Sequence, residues 1–356
     1  MFLTDRIVDH LREAAVWPEV AGAAEGRRYS VVRVIGRGGM GTVYVARDET
    51  LGREVAFKVS NAPASGSGLD ERLRREARVL ATLDHPGIAP VHDAGVLADG
   101  RLFYVMKLVR GETLERHARD LETESLKLSV FERVVDTVAF AHARGIVHRD
   151  LKPSNVMVGS FGEVLVLDWG VAKVLAEPHD LPLPASGDSD RTGVSGSTDA
   201  SEPTRIGTLI GTPGFMAPEQ AAGDITLIGP ATDVFALGAL LFWLLTGELL
   251  TSDVPSAEAD DSTRVTRANR VLRDRRVSRR LRAIVIRCLA PRAADRYANA
   301  GEIAADLVRY RGGQAVAAYP ETVFDRAGRF FTTYRTFILI VAAYIVMRAI
   351  VAYIRR

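Results

Sequence analysis

The apolar positions change their spacing once along the chain, and the change divides it. From Tyr29 short β-branched runs alternate with turns. Val31 to Ile35, Val43 to Ala46 and Val55 to Val59 predict three consecutive antiparallel strands. A helix-spaced segment, Leu69 to Leu83, comes next, then strand-like pieces near Val91 and at Leu102 to Met106. Beyond Gly111 the spacing turns helical, with long runs at Leu126 to Arg144, Ala231 to Thr246 and Ser278 to Leu289. The pattern predicts an α+β protein. A β-rich lobe with one principal helix, residues 29–110, precedes an α-rich lobe, residues 111–312.

Residues 1–28 hold an amphipathic stretch, Ile7-Val8, Leu11 and Ala14-Ala15, which reads as a short helical leader ending at Trp17-Pro18. Residues 177–208 are rich in Ser, Thr, Gly, Asp and Pro with almost no apolar spacing, which predicts mobility. A linker, 313–336, leads to the apolar run 337–354, whose only charge is Arg348. The uncharged part, Thr336 to Met347, gives only about 18 Å of helix, but continuing to Ile354 gives roughly 27 Å, with Arg348 able to snorkel. A single-pass anchor is expected, with an amphipathic or self-associating helix as the alternative. Arg326, Arg329 and Arg335 mark the cytoplasmic side. An acid at position 5 and no long apolar run after it argue against an N-terminal secretion signal.

Apolar residues make up 47% of the chain, enough to bury a core. Lys and Arg number 46 against 44 Asp and Glu, a net charge of +2, which excludes a nucleic-acid-coating surface. The basic run Arg273 to Arg282 then reads as a solvated helix face or loop. The single cysteine, Cys288, excludes a disulfide framework and a multi-cysteine metal site, and reads as a buried apolar side chain. The histidines other than His148 show no ligand spacing, and His148 reads as a packed imidazole.

Three groups of residues suggest chemistry. Gly36, Gly38, Gly39 and Gly41 would let backbone amides approach a phosphate. Since Thr42 to Ala46 reads as strand, they form a strand–loop–strand flap, or else an ordinary glycine-rich hairpin. Glu76 falls inside the apolar stripe of Leu69, Leu73, Ala77, Leu80 and Leu83 and needs a cation, for which Lys58 on the neighbouring sheet is the natural candidate. Asn155 precedes and Asp168 follows a hairpin, Val156 to Val158 and Val164 to Leu167, so that pairing brings both to one open end. Such oxygens suit a hard cation such as Mg²⁺, or serve as polar caps.

With the ordered motifs His148-Arg149-Asp150-Leu151-Lys152-Pro153-Ser154-Asn155, Asp168-Trp169-Gly170, Gly211-Thr212, Ala217-Pro218-Glu219 and Asp233, the chain resembles a bacterial eukaryotic-type serine/threonine protein kinase over about Tyr29 to Arg311. The resemblance implies a two-lobed kinase fold and transfer of the ATP γ-phosphate to Ser or Thr hydroxyls of proteins. It implies that Lys58, held by Glu76, binds the α/β-phosphates under the glycine loop. Asp150 is the implied base, Lys152 neutralises charge on the transferred group, and Asn155 and Asp168 hold Mg²⁺, with Mn²⁺ as an alternative. Ile35, Val43, Ala56 and Met157 are the implied adenine walls, Met106 the gatekeeper, and the Lys107 to Val109 backbone the adenine-edge partner. Glu219 would pair with Arg296, and Asp233 would brace the catalytic loop.

Lys152 and Thr212 beside the aspartate imply Ser/Thr specificity. Arg149 implies a phosphorylated activation segment, for which Thr204 and Thr208 are the candidate acceptors. Two features depart from the family: Trp169 stands where Phe is usual, implying altered packing with activity kept, and the segment 168–219 is longer than typical. The expected partners are protein substrates, a second copy for trans-autophosphorylation and a membrane through the C-terminal helix, with no nucleic acid. The expected location is the cell membrane, single-pass with the kinase domain in the cytoplasm, or else soluble in the cytoplasm. The rival readings are a nucleotide-binding pseudokinase scaffold and a small-molecule kinase.

Overall fold

A computed structural model describes residues 28–38, 41–63, 68–169, 173–174, 214–250, 261–321 and 335–354. The leader 1–27, the insert 177–208 and the expected residues Gly39, Thr204, Thr208 and Thr212 lie outside them.

The first sheet contains β1 (Tyr29–Arg37), β2 (Gly41–Asp48), β3 (Arg53–Pro63), β4 (Val91–Val96) and β5 (Arg101–Lys107), in the order β1-β2-β3-β5-β4. Every neighbouring pair is antiparallel. Alternation along β3 sorts its side chains. Phe57 joins Tyr29, Tyr44 and Val105 on one face and stacks on Phe103 at 4.8 Å. Lys58 points to the other face, which is covered by α1 (Gly68–Thr82). On α1 Leu73, Val79 and Leu80 are buried with Leu83 just beyond, and Glu76 is 1% exposed among them.

The helical part contains β6 (Gly111–Thr113), α2 (Leu114–His117), α3 (Glu124–His142), β7 (Ile146–Val147), β8 (Val156–Gly159), β9 (Val164–Val166) and β10 (Lys173–Val174). It continues with α4 (Pro218–Ala221), α5 (Pro230–Thr246), α6 (Asp261–Asp274), α7 (Arg279–Cys288) and α8 (Ala300–Arg311). Strands β6, β8 and β9 form one small sheet, β7 and β10 another. Thr123 caps α3, its Oγ1 accepting from the Leu126 amide at 3.2 Å. Helix α5 is apolar all round, and every residue from Thr232 to Phe242 is buried, which makes it the axis of the lobe. Gly238 permits the close approach of α7, since a Cβ there would lie 2.5 Å from the Cys288 Cβ. Cys288 is fully buried, and burial pushes its thiol up, as befits an inert apolar side chain.

The run Arg273 to Arg282 spans the end of α6, a turn with Arg276 at φ 59°, and the start of α7. Arg280 is tied down, donating to the Gln314 carbonyl at 2.9 Å.

The tail forms α9 (Arg335–Ile354), with Leu339, Ile345, Val346 and Tyr353 exposed. Among the described residues no helix is long and apolar enough to cross a membrane. The single-pass anchor expected over 337–354 is therefore not supported. Arg348 divides the apolar run, and the uncharged part falls well short of a hydrocarbon core about 30 Å thick.

Candidate active site

A cavity of about 630 Å³ opens between the sheet and the helical lobe. Its apolar walls include Ile35, Val43 and Ala56 from the sheet and Met157 from β8. Met106, Lys107 and Val109 line it from β5 and the chain beyond; Ala56 and Met106 are direct cross-strand partners. Gly36, Gly38 and Gly41 form its upper edge. At Gly41 only glycine fits, because a Cβ would meet the Val59 carbonyl oxygen at 2.3 Å. The Asn61 Nδ2 donates to the Gly38 carbonyl at 2.8 Å and so ties the glycine loop to β3.

Lys58 Nζ donates to both oxygens of Glu76, at 2.9 and 2.8 Å, and lies 3.7 Å from Asp168 Oδ1. The expected pair is thus formed. Tyr104 is 1% exposed behind it, its ring centroid 5.7 Å from Lys58 Nζ. Burial first, and then the Glu76 charge, pushes the Tyr104 phenol well above its ordinary range.

The catalytic-loop motif is held from beneath. Asp233, fully buried at the head of α5, accepts from the His148 amide at 2.7 Å and the Arg149 amide at 2.8 Å. His142 Nε2 donates to the same carboxylate at 2.9 Å, while its Nδ1 accepts from the Ala300 amide at 3.2 Å. Burial opposes the Asp233 charge, but the hydrogen bonds and the neighbouring histidines outweigh it and hold the carboxyl below its ordinary value. Arg149 adopts φ 74°, and the Gln220 side chain secures its carbonyl at 2.8 Å. His148 is a packed imidazole, bonded to the Leu167 carbonyl at 3.0 Å and 4.6 Å from the Trp169 ring.

Asp150 Oδ2 accepts from Lys152 Nζ at 2.7 Å and from Asn155 Nδ2 at 3.0 Å; the latter also donates to the Asp150 carbonyl at 2.8 Å. These bonds occupy the Asn155 amide nitrogen and leave its Oδ1 as an oxygen donor. The hairpin β8–β9 pairs Val156 with Val166, and the Leu167 amide donates to the Asn155 carbonyl at 2.8 Å, so Asn155 and Asp168 reach one open end. Asp168 adopts φ 65° with its side chain 49% exposed. An amide oxygen beside an accessible carboxylate fits a hard divalent cation completed by phosphate and water.

Trp169 is 1% exposed, its Nε1 donating to the Val166 carbonyl at 3.1 Å. Glu219 and Arg296 pair at 2.8 and 3.0 Å, and Arg296 also serves the Ala290, Ala231 and Pro291 carbonyls. Burial opposes the Glu219 charge, yet the Arg296 bonds hold it below the ordinary value. Sequence reasoning missed Tyr104, Asn61, His142 and Gln220. It also missed Glu112, His117 and Asp120, which cluster outside the cavity, with His117 Nδ1 3.2 Å from Glu112.

The family model for the protein kinase domain matches residues 29–307. Among curated relatives, the serine/threonine-protein kinase PknD of Chlamydia pneumoniae is 34% identical over 306 residues, covering 80% of this chain and 31% of the relative. PknD of Chlamydia trachomatis serovar D is 37% identical over 235 residues, 62% of this chain and 25% of the relative. The crystal structure of the Mycobacterium tuberculosis PknI kinase domain, solved as a cysteine-to-alanine mutant, aligns with a TM-score of 0.54 and 26% identity over 80% of this chain and 96% of that one. The chain belongs to the protein kinase family, and the curated relatives described above are named serine/threonine-protein kinases. It spans about a third of the length of the PknD relatives.

Proposed function

We propose that this chain transfers the γ-phosphate of ATP to Ser and Thr hydroxyls of proteins. The carrying observation is one assembled site: the Lys58–Glu76 pair, Asp168 3.7 Å from Lys58, and Asp150 bonded to both Lys152 and Asn155. In this reading residues 29–110 and 111–312 are the two kinase lobes. Ile35, Val43, Ala56 and Met157 enclose the adenine, Met106 is the gatekeeper, and the backbone of Lys107 and Val109 meets the adenine edge. Gly36, Gly38, Gly39 and Gly41 cover the phosphates, which Lys58 binds.

Asp150 orients the substrate hydroxyl and accepts its proton. Lys152 neutralises charge developing on the transferred group, and Thr212 steadies the same region. Asn155 and Asp168 would hold Mg²⁺, which supplies charge neutralisation at the phosphates. With every catalytic position filled, a nucleotide-binding scaffold is the weaker reading.

Thr204 and Thr208, phosphorylated by a second copy, would pair with Arg149 to order the segment 168–219. Association of α9 with an apolar surface, a membrane or a second copy of that helix, is the alternative to a span and is supported by its exposed apolar residues. Labelled phosphate should pass from ATP to Ser and Thr but not Tyr of a mixed peptide, and chelation should stop it. Label on Tyr alone, or transfer that survives chelation, would contradict the proposal.

A further inference from the structure

We propose that Gln220 is a positioning residue that fixes the Arg149–Asp150 peptide plane and so aims the Asp150 carboxylate at the substrate hydroxyl. The inference rests on the kinase reading of the cavity, in which Asp150 accepts the hydroxyl proton, and it begins with the backbone. Arg149 sits at φ 74°, a conformation that a residue with a Cβ keeps only when its surroundings impose it. Asp233 imposes it from one side, its Oδ1 accepting from the Arg149 amide at 2.8 Å.

On the other side lies the planar peptide that joins Arg149 to Asp150. Its carbonyl accepts from Gln220 Nε2 at 2.8 Å, and its amide donates to His148 Nδ1 at 3.2 Å. A peptide held at both its oxygen and its nitrogen is fixed against rotation, and the Asp150 Cα follows directly from it. Lys152 and Asn155 then hold the far end of the Asp150 side chain. The base is thus set at its root by one group of bonds and at its tip by another.

Gln220 is itself held. Its Oε1 accepts from the Ala217 amide at 3.3 Å, so one orientation of the side-chain amide satisfies both partners, with Nε2 toward the Arg149 carbonyl. Helix α4, which carries Gln220, is fastened by the buried Glu219–Arg296 pair, and Ala217 just before it is fully buried. Gln220 therefore bridges the segment that enters α4 and the loop that carries Asp150, across 71 positions of sequence. A shift of that segment reaches the base through one side chain.

The test is steady-state phosphorylation of a mixed Ser/Thr peptide by the full chain and its variants, beside titration with a fluorescent ATP analogue and thermal melting. Gln220→Glu keeps an acceptor for the Ala217 amide but turns an oxygen toward the Arg149 carbonyl, so the bond to the catalytic loop is the one lost. It should lower kcat about 10–10²-fold, while analogue binding and KM for ATP stay within about twofold of wild type. Gln220→Met keeps the length, removes both bonds and should lower kcat at least as far. In an Asp150→Asn background Gln220→Glu should have little additional effect on the residual rate, because Gln220 acts through Asp150. A kcat within about twofold of wild type in both variants, or an equal fold-loss with and without Asp150→Asn, would overturn the proposal. So would a fold-loss of analogue binding as large as that of kcat, which a merely structural role would give. A wild-type chain that transfers no phosphate to the peptide would overturn the kinase reading itself and this inference with it.

Discussion

Asp150 carries two hydrogen bonds on one oxygen, from Lys152 and from Asn155, and both donors come from the same short loop. The carboxylate is therefore aimed by local geometry, and its exchange for an amide removes the proton acceptor while keeping the shape. Asp150→Asn should lower kcat by about 10²–10⁴-fold with ATP-analogue binding retained, measured by peptide phosphorylation and titration side by side. Trp169 makes a different point. Its indole donates to the Val166 carbonyl, a bond that Phe cannot make. Trp169→Phe should keep activity but lose about 1–2 kcal/mol of stability in a denaturant titration, since a buried carbonyl loses its donor and a smaller ring fills the space. The chain order of the motifs made Lys58, Glu76, Asp150, Asn155 and Asp168 readable as a set. Tyr104 was readable too, because strand alternation places it on the Met106 face opposite Lys58, but an aromatic in a strand looks like core. His142 and Gln220 left no such signal, for their partners Asp233 and Arg149 are distant in sequence.

At the scale of elements, the strongest periodicities gave the most faithful outlines. The segment Leu69 to Leu83 became α1 at Gly68–Thr82, and Ala231 to Thr246 became α5 at Pro230–Thr246. Helix α6 was hidden because its face is dominated by arginines and its burial depends on packing against α5 and α7. The small strands β6, β7 and β10 hold two or three residues each and have no period to detect. Packing between α5 and α7 depends on one missing methyl group. Gly238→Ala would push a Cβ to within 2.5 Å of Cys288 and should cost about 1–3 kcal/mol by chemical denaturation. Gly229→Ala at the start of α5, where nothing lies within 4 Å, should cost much less.

Across the whole molecule, the Glu219–Arg296 pair fastens the segment before α5 to the chain after α7, and His142 and Asp233 fasten α3 to α5. Arg296→Met leaves Glu219 buried without its cation and should destabilise the protein by about 3–5 kcal/mol. Acid should act on the same joints. Glu219 and Asp233 both titrate below their ordinary values of 4.5 and 3.8 in the folded state, so their stabilisation is complete above those values and is lost as pH falls through the depressed ones. His85 and His92, lowered from 6.5 chiefly by burial, add an earlier loss, because the unfolded chain takes up their protons first as pH falls below 6.5. Melting temperature against pH should show a shallow decline below about 6.5 and a steep one below about 4; a flat curve down to pH 3 would contradict these assignments.

The central claim is phosphoryl transfer by Asp150 to Ser and Thr. Intact-mass spectrometry of the full chain after incubation with ATP and Mg²⁺, beside Asp150→Asn, tests it most directly. Phosphate additions on the wild-type chain and none on the variant are the predicted result, with Thr204 and Thr208 among the modified residues. No phosphate on either protein, with ATP bound by both and peptides left unmodified, would contradict the account and leave a nucleotide-binding scaffold.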